Sequence, residues 1–154
     1  MSTEGTVRTA ARALIIESDA VLVVEYRDAH GPWYLLPGGG QRHEETLVAC
    51  VRREVREELE VDIEVGRLRY VREFLSSDHP DSHLGAGFHQ LEVVFEARLA
   101  AGSRPRMPAT PDPLQCGVRW LPIETLMEQR LHPLALRTHL VENRSEVAYL
   151  GASL

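Results

Sequence analysis

Three glutamates in the middle of the chain have the spacing of a cation-binding helix face. Glu54, Glu57 and Glu58 stand at positions i, i+3 and i+4, so a helix gathers them within an arc of about 100°. Their repulsion destabilises an isolated helix, whereas a divalent cation stabilises them, because Mg²⁺ and Mn²⁺ prefer hard oxygen ligands. Three arginines lie among the glutamates, so a solvated surface of mixed charge is the alternative interpretation.

The residues before this stretch favour the cation site. Trp33–Leu36 is a short apolar run, and Pro37–Gly40 breaks it abruptly. Glycines allow close backbone approach, so carbonyls or amides there can face an ion or a phosphate. A strand, a glycine loop and an acidic helix in this order are much less common than a glycine turn alone.

The stretch from Gly39 to Val61 resembles the signature of the Nudix hydrolases. That signature is a glycine, five residues, a glutamate, seven residues, and then Arg-Glu-(apolar)-x-Glu-Glu-x-Gly-(apolar). In this sequence its places are held by Gly39, Glu45, Arg53, Glu54, Val55, Glu57, Glu58 and Val61. One place departs from the pattern, because Glu60 stands where the family has glycine.

The resemblance implies a fold and a chemistry. The fold is an α/β domain, an αβα sandwich with a mixed β-sheet, the signature loop and helix, and C-terminal helices. The activity is metal-dependent hydrolysis of a pyrophosphate bond in a nucleotide. Glu54, Glu57 and Glu58 would hold Mg²⁺, or Mn²⁺ as a substitute, with the backbone around Gly38 and Gly39 as a further ligand. Arg53 would orient a glutamate through its fork of donors.

Residues outside the signature are candidates for the remaining roles. Either Glu54 or a strand glutamate is expected to accept the proton of the attacking water. Glu92 and Glu96 alternate with apolar residues, and we expect Glu92 in particular to point into a cleft, although exposed strand carboxylates are the commoner explanation. Trp33 can stack on a base, unless it is a core residue, and Arg12 or Arg27 can meet a phosphate.

The substrate stays open between several classes. We expect a nucleoside diphosphate linked to another group, such as an ADP-ribose-like compound or a nucleotide sugar. The long irregular segments Ser76–Phe88 and Ala100–Pro113 favour it, because such segments usually serve a function or are disordered. The alternatives are a house-cleaning (d)NTP pyrophosphohydrolase and a non-catalytic nucleotide-binding module on the same fold.

Composition limits the class of protein. A chain of 154 residues suits a single domain, 1–154. The net charge of −6 argues against a nucleic-acid partner and leaves a small nucleotide as the expected ligand. All 17 basic residues are arginine, which excludes a Schiff-base lysine and a Walker-type phosphate loop. No apolar run approaches the roughly 18 residues of a membrane span, so a cytoplasmic protein is expected.

Hydrophobic periodicity places the elements around the signature. The predicted elements are strands at Val7–Ile16, Ala20–Tyr26, Trp33–Leu36, Val61–Val65, Leu68–Leu75, Leu91–Ala97 and Gly117–Leu121, and helices at Thr46–Leu59, Ile123–Gln129 and from Pro133 onward. Glu17-Ser18-Asp19 is predicted to be a hairpin turn, and Gly66 a break in its strand. The apolar end, Ser145–Leu154, is expected to cover the core or to meet a second subunit in a homodimer.

Two local features carry separate expectations. If the signature helix ends at Glu60, that residue is expected to take the left-handed conformation that glycine favours. The aspartates and histidines of Ser76–Phe88 invite a second metal site. Pro80 forbids the helix that would align His79 with His83, so a surface loop is the preferred interpretation.

Overall fold

A computed structural model describes residues 5–79 and 84–152. Its strands are β1 (Val7–Glu17), β2 (Ala20–Asp28), β3 (Gly31–Leu35), β4 (Gly38–Gly40), β5 (Ile63–Leu75), β6 (His89–Leu99), β7 (Gly117–Pro122), β8 (Leu131–His132) and β9 (Ala148–Tyr149). Its α-helices are α1 (Leu47–Leu59) and α2 (Leu134–Val141), and short 3₁₀ turns cover Ser76–Asp78 and Ile123–Glu128.

Strand β1 joins the two halves of a mixed sheet. The strand order is β8-β3-β2-β1-β6-β5-β9, with β4 paired to β1 and β7 paired to β2. The β1–β6 and β5–β9 pairs are parallel, whereas β1–β2, β2–β3, β2–β7, β1–β4 and β5–β6 are antiparallel. Only the end of β1 pairs with β2, through Ile16 and Glu17. The expected α/β fold with a mixed sheet is confirmed.

The turn between β1 and β2 is the predicted hairpin. Ser18 and Asp19 both have positive φ, 48° and 57°, which is the backbone of the two-residue turn that matches the twist of paired strands. Glu17 accordingly pairs with Ala20 across the turn.

Helix α1 packs on one side of the sheet. Its N-cap is Thr46, whose side chain accepts a hydrogen bond from the Ala49 N–H at 3.1 Å, so the predicted start at Thr46 is the cap of the helix. One stripe of the helix is buried: Cys50, Val51, Val55 and Leu59. This stripe shares a core with β1, β2 and Ile63 of β5.

Helix α2 contributes to a second core. Leu136 and Leu140 pack with Leu126, Leu131 and other buried residues of β1, β2 and β5. Because the two cores contain different residues of the same strands, the sheet lies between the helices. This is the layered αβα arrangement that the sequence predicts.

Several predicted boundaries differ in the structure. Gly38–Gly40 forms β4 rather than a loop, because its backbone pairs with Ala10–Arg12 of β1. Gly66 does not break its strand: β5 is continuous, and register shifts between Val65 and Tyr70 absorb the irregularity. Part of the Ser76–Phe88 segment, including Asp81 and His83, lies outside the described residues.

The C-terminal segment is partly a strand. Ala148 and Tyr149 form β9, which pairs in parallel with Tyr70 and Val71 of β5, so the segment covers an edge of the sheet. Within the ranges that the structure describes, no helix has the length and apolar character needed to cross a bilayer.

Candidate active site

The glutamates of α1 face the glycine strand β4. Because β4 pairs with β1 while α1 packs on β1, the start of β4 lies beside the last turn of α1. The Gly38 N–H donates to Glu58 Oε1 at 2.7 Å. A backbone amide and a carboxylate of the signature are therefore in direct contact.

Arg53 holds the loop and the helix together. Its guanidinium donates to both carboxylate oxygens of Glu45 at 2.7 and 2.9 Å, to Glu54 Oε1 at 2.8 Å and to the Gly40 carbonyl at 3.0 Å. The Arg53 hydrogen bonds lower the pKa of Glu45 to about 2. The predicted orienting role of Arg53 thus has a geometric basis, because one planar fork fixes Glu45, Glu54 and β4 at once.

Gly39 lies directly against the carboxylate of Glu54. A Cβ placed on Gly39 would come within 2.5 Å of the Glu54 carboxylate carbon, so a side chain there would displace the glutamate. At Gly38, where φ is 149°, a Cβ would lie 2.1 Å from the Ala11 carbonyl oxygen. Close approach therefore requires glycine at both positions, and Gly38 is required by its backbone conformation as well.

Glu58 titrates far from its ordinary range. Burial, helped by the charges of Glu54 and Asp112, raises the pKa of Glu58 to about 8 against the lowering effects of Arg12 and the Gly38 N–H. In the absence of a cation, a proton therefore stabilises this carboxyl at neutral pH.

The donor set fits a hard divalent cation. Glu54, Glu58 and the backbone of Gly39 lie together, and Glu57 is exposed on the same helix face. Within residues 5–79 and 84–152, no three carboxylate, imidazole or thiol side chains already converge on one point. Glu57 instead lies 3.4 Å from Arg53 and 3.7 Å from Arg42, so a cation must draw it from these arginines.

Glu92 lies in a buried charge cluster rather than in an open cleft, so that expectation is wrong. The residue is only 1% exposed. Its Oε1 accepts from Arg12 Nε and Gln90 Nε2, both at 2.8 Å, and its Oε2 accepts from Arg72 Nε at 2.5 Å. Burial raises the pKa of Glu92, but Arg12 and Arg72 outweigh it and bring the pKa to about 2. A carboxylate this enclosed and this acidic is a poor general base.

The Glu92 cluster connects to the glycine strand through Arg12. Arg12 Nη1 donates to the Leu36 carbonyl at 2.9 Å and to the Gly38 carbonyl at 3.5 Å. Glu92 therefore does not contact the Leu36–Gly38 backbone itself but holds the arginine that does. Glu96 lies elsewhere, paired with Arg67 and Arg69.

Aromatic residues line the sheet beside the acidic helix. Tyr26 and Trp33 pair across β2 and β3, with stacked rings 4.6 Å apart, and Trp33 meets His132 edge-on at 6.1 Å. Burial and the charge of Glu58 raise the pKa of Tyr26, and Tyr26 packs against the core that contains the buried stripe of α1. We call Tyr26, Trp33 and His132 the aromatic strip.

Arg27 lies apart from the glutamates. Side chains alternate along β2, so Arg27 points away from the face that carries Tyr26, and it lies 3.5 Å from the buried Glu25. The structure therefore does not bring the predicted phosphate contact Arg27 to the site.

Three further residues near the site were not predicted from the sequence: Tyr26, His132 and Arg8. The guanidinium of Arg8 lies over Gly40, where an added Cβ would be 2.4 Å from Nη2, and it also donates to Gln90. Its spacing of four residues from Arg12 on β1 was the available signal, because such residues share one face of a strand.

A family model described as the NUDIX domain matches residues 6–139. No curated protein sequence matches the chain significantly. Among solved structures, a NUDIX hydrolase from Nitrosomonas europaea superimposes with a TM-score of 0.70 at 15% identity, covering 92% of each chain. A MutT NUDIX hydrolase from Burkholderia pseudomallei gives 0.69 at 22% identity, covering 88% of this chain and 98% of the other.

A third solved structure carries a more specific description. An ADP-ribose pyrophosphatase from Streptococcus suis 89-1591 superimposes with a TM-score of 0.59 at 23% identity, covering 96% of this chain and 98% of the other. At these identities the superpositions establish the fold.

Proposed function

The chain belongs to the Nudix hydrolase family and is a pyrophosphohydrolase, and from this premise we propose that it cleaves nucleoside diphosphates linked to a second group. Compounds resembling ADP-ribose and nucleotide sugars are the proposed substrate class. The alternative substrate is a nucleoside triphosphate.

One observation carries the proposal: surfaces suited to recognition lie on both sides of Tyr26. The strand order β7-β2-β3-β8 puts Trp33 and His132 on one side of Tyr26. Residues 100–116 reach the sheet on the other side, where Gly117 of β7 pairs with Glu25. A base can stack on the aromatic strip, while residues 100–116 contact the group beyond the second phosphate.

We assign the cation to the acidic face of α1. Glu54, Glu57, Glu58 and the Gly39 carbonyl would hold Mg²⁺, with Mn²⁺ as a substitute. When bound, the cation neutralises phosphate oxygens and makes water a stronger nucleophile. Arg8, exposed over Gly40, is our candidate for a direct phosphate contact.

The chain's own residues supply the acid–base chemistry. The oxygen of water attacks one phosphorus, the bond from that phosphorus to the bridging oxygen breaks, and the water proton passes to a carboxylate. We assign that carboxylate to Glu54, because Arg53 fixes its position and Gly39, which has no side chain, packs directly against it. Glu92 then acts by holding Arg12 and, through it, the Leu36–Gly38 backbone.

Matched kinetics test the substrate class. We expect kcat/KM for ADP-ribose or UDP-glucose to exceed that for ATP or dGTP with saturating Mg²⁺, because contacts to the remote group align the reacting phosphate. Product analysis identifies the bond that is cleaved. Equal or better efficiency on the triphosphates, with pyrophosphate as a product, would favour the alternative.

Substitution of Glu58 tests the metal assignment. Glu58→Gln is expected to lower kcat by at least about a hundredfold while the protein stays folded, because an amide cannot replace a charged oxygen ligand. Glu64→Gln is the matched control, since Glu64 is an exposed glutamate of β5. Wild-type turnover in Glu58→Gln, or in excess chelator, would contradict the assignment.

A further inference from the structure

The residue at the one departure from the signature has a left-handed backbone. Glu60 caps the C-terminus of α1 with φ 54° and ψ 36°, and its N–H donates to the Arg56 carbonyl at 3.0 Å. This is the conformation predicted for that place, and glycine adopts it at lower cost than any residue with a side chain. Because a glutamate is strained in this conformation, we expect its carboxylate to make a contact that offsets the strain.

That contact is made to the segment between β6 and β7. The Glu60 carboxylate accepts from Arg106 Nε and from the Ala109 N–H, the latter at 3.3 Å. In addition, the Arg106 N–H donates to the Leu59 carbonyl at 3.1 Å. The segment is thus fastened to the end of α1 by a side chain and by the backbone.

A second attachment fixes the other end of the segment. Gln115 is 5% exposed, and its Nε2 donates to the Glu58 carbonyl at 3.0 Å. The next residue, Cys116, donates its N–H to the Glu25 carbonyl at 2.9 Å. Residues 106–115 are therefore held between the last turn of α1 and the strand that carries Tyr26.

We propose that Glu60 is a positioning residue for substrate binding: its carboxylate clamps residues 106–115 against the metal-facing helix, so that they form a fixed wall for the group beyond the second phosphate. The proposal rests on the proposed function for the identity of that group. The clamp consists of Glu60, Arg106 and Ala109. The acceptor in this clamp is the Glu60 carboxylate, and a glycine at position 60 would not supply one.

Hydrogen exchange tests the clamp without any activity. Glu60→Gln keeps the left-handed strain and removes the charge, whereas Glu60→Gly removes both, and Glu64→Gln again serves as the control. We expect amide exchange in peptides covering residues 107–116 to rise about two- to fivefold in both Glu60 variants, since an exposed ion pair contributes modestly. Exchange at the wild-type rate in both variants overturns the clamp.

Thermal melts separate the backbone effect from the clamp. Glu60→Gly is expected to melt higher than Glu60→Gln, because glycine relieves the left-handed strain. Both variants are nevertheless expected to show the same raised exchange at residues 107–116. If Glu60→Gly regains wild-type exchange, helix closure rather than the carboxylate holds the segment, and the proposal is wrong.

Kinetics test the positioning role. For Glu60→Gln and for Arg106→Gln we expect KM for ADP-ribose to rise about two- to fivefold with kcat within about twofold, the size of an exposed pair, and KM for ATP to stay unchanged. The charge-reversed double variant, Glu60→Arg with Arg106→Glu, is expected to recover part of the wild-type KM, because it restores the ion pair but leaves the Ala109 N–H without its acceptor. If Glu60 had only a structural role, the variants would change KM for ADP-ribose and KM for ATP by the same factor.

The outcomes distinguish the two proposals. Raised exchange with an unchanged KM for ADP-ribose overturns the positioning role. A wild-type enzyme that turns over ATP but not ADP-ribose overturns the proposed function, and the exchange measurement still decides whether the clamp exists.

Discussion

Arg53 is the residue through which the glycine strand and the acidic helix act as one unit. It joins Glu45, Glu54 and the Gly40 carbonyl through a single guanidinium, and lysine lacks the planar fork that this requires. These partners were predictable from the sequence, because they lie within one continuous stretch whose spacing is set by a helix and a short turn.

The buried Arg12–Glu92–Arg72 cluster was not predictable in the same way. Its members come from β1, β6 and β5, and they meet because Glu92 pairs with both Ala10 and Arg72 in register. That register depends on long-range strand pairing, which no local pattern specifies. Alternation correctly placed Glu92 on a strand face but could not show that two arginines already occupy that face.

Substituting Glu92 separates a structural role from a catalytic one. Glu92→Gln leaves two buried guanidinium groups without their counter-charge, so we expect the free energy of unfolding to fall by about 3–5 kcal/mol. Activity per folded molecule is expected to fall less than tenfold, since the proton acceptor is Glu54. Urea denaturation and turnover at low temperature measure the two effects.

The comparison variant for this test is Glu54→Gln. It removes a partly exposed carboxylate, so it is expected to keep most of its stability and to lose activity by orders of magnitude. The reverse pattern, with Glu92→Gln stable but inactive, would restore Glu92 as the base.

At the scale of elements, local propensity gave the wrong prediction for β4, which was expected to be a loop. Three consecutive glycines disfavour a strand, yet Gly38–Gly40 pairs with Ala10–Arg12 of β1. The pairing is imposed by the neighbours, because side chains at these places would collide with β1, with Glu54 or with Arg8. By contrast, α1 was predictable almost to the residue, since its cap and apolar stripe are both local signals.

Alanine substitutions along β4 are expected to have graded effects. Gly38→Ala should prevent stable folding, because its Cβ would lie 2.1 Å from the Ala11 carbonyl oxygen. Gly39→Ala should fold but lose most activity, because its Cβ displaces the Glu54 carboxylate. Gly40→Ala meets only the mobile end of Arg8, so its stability should change by less than about 1 kcal/mol. Circular dichroism melts and turnover measure the series.

The order of the three variants is the informative result. If Gly39→Ala keeps wild-type activity, then the close packing of Gly39 on Glu54 has no catalytic role. If Gly40→Ala alone raises KM while the protein stays folded, Arg8 is supported as the phosphate contact, because only that side chain is displaced.

At the scale of the whole molecule, the site lies where the two halves of the sheet meet. Strand β1 carries Arg8 and Arg12, and it pairs with β4 and β6 before turning into β2. The aromatic strip comes from the other half, on β2, β3 and β8. The element order predicted the layers, but the placement of Tyr26 against the core of α1 depends on the tertiary arrangement of these halves.

Two half-buried titrating groups, His132 and Glu58, make the stability of the cation-free protein depend on pH in opposite directions. Burial, then the charges of Arg72 and Arg130, lower the pKa of His132 from 6.5 to about 4. The unfolded chain therefore binds the proton more tightly, and His132 makes stability fall as the pH drops from 6.5 to 4. Glu58 has the raised pKa of about 8 against an ordinary 4.5, so its contribution is present below pH 4.5 and is lost as the pH rises to 8.

The two effects oppose each other between pH 4.5 and 6.5, and only the Glu58 effect continues above it. We therefore expect the free energy of unfolding of the cation-free protein to be nearly constant from pH 4.5 to 6.5 and to decline from 6.5 to 8, with a slope of at most about 1.4 kcal/mol per pH unit, and the Tm to follow it. Glu58→Gln should abolish the decline, and His132→Gln should extend it down to pH 4.5. Mg²⁺ should reverse it, because the cation binds the ionised carboxylate. Calorimetry in EDTA and in Mg²⁺ measures these profiles, and a decline that persists in Glu58→Gln would show that another group controls the stability of the molecule above neutral pH.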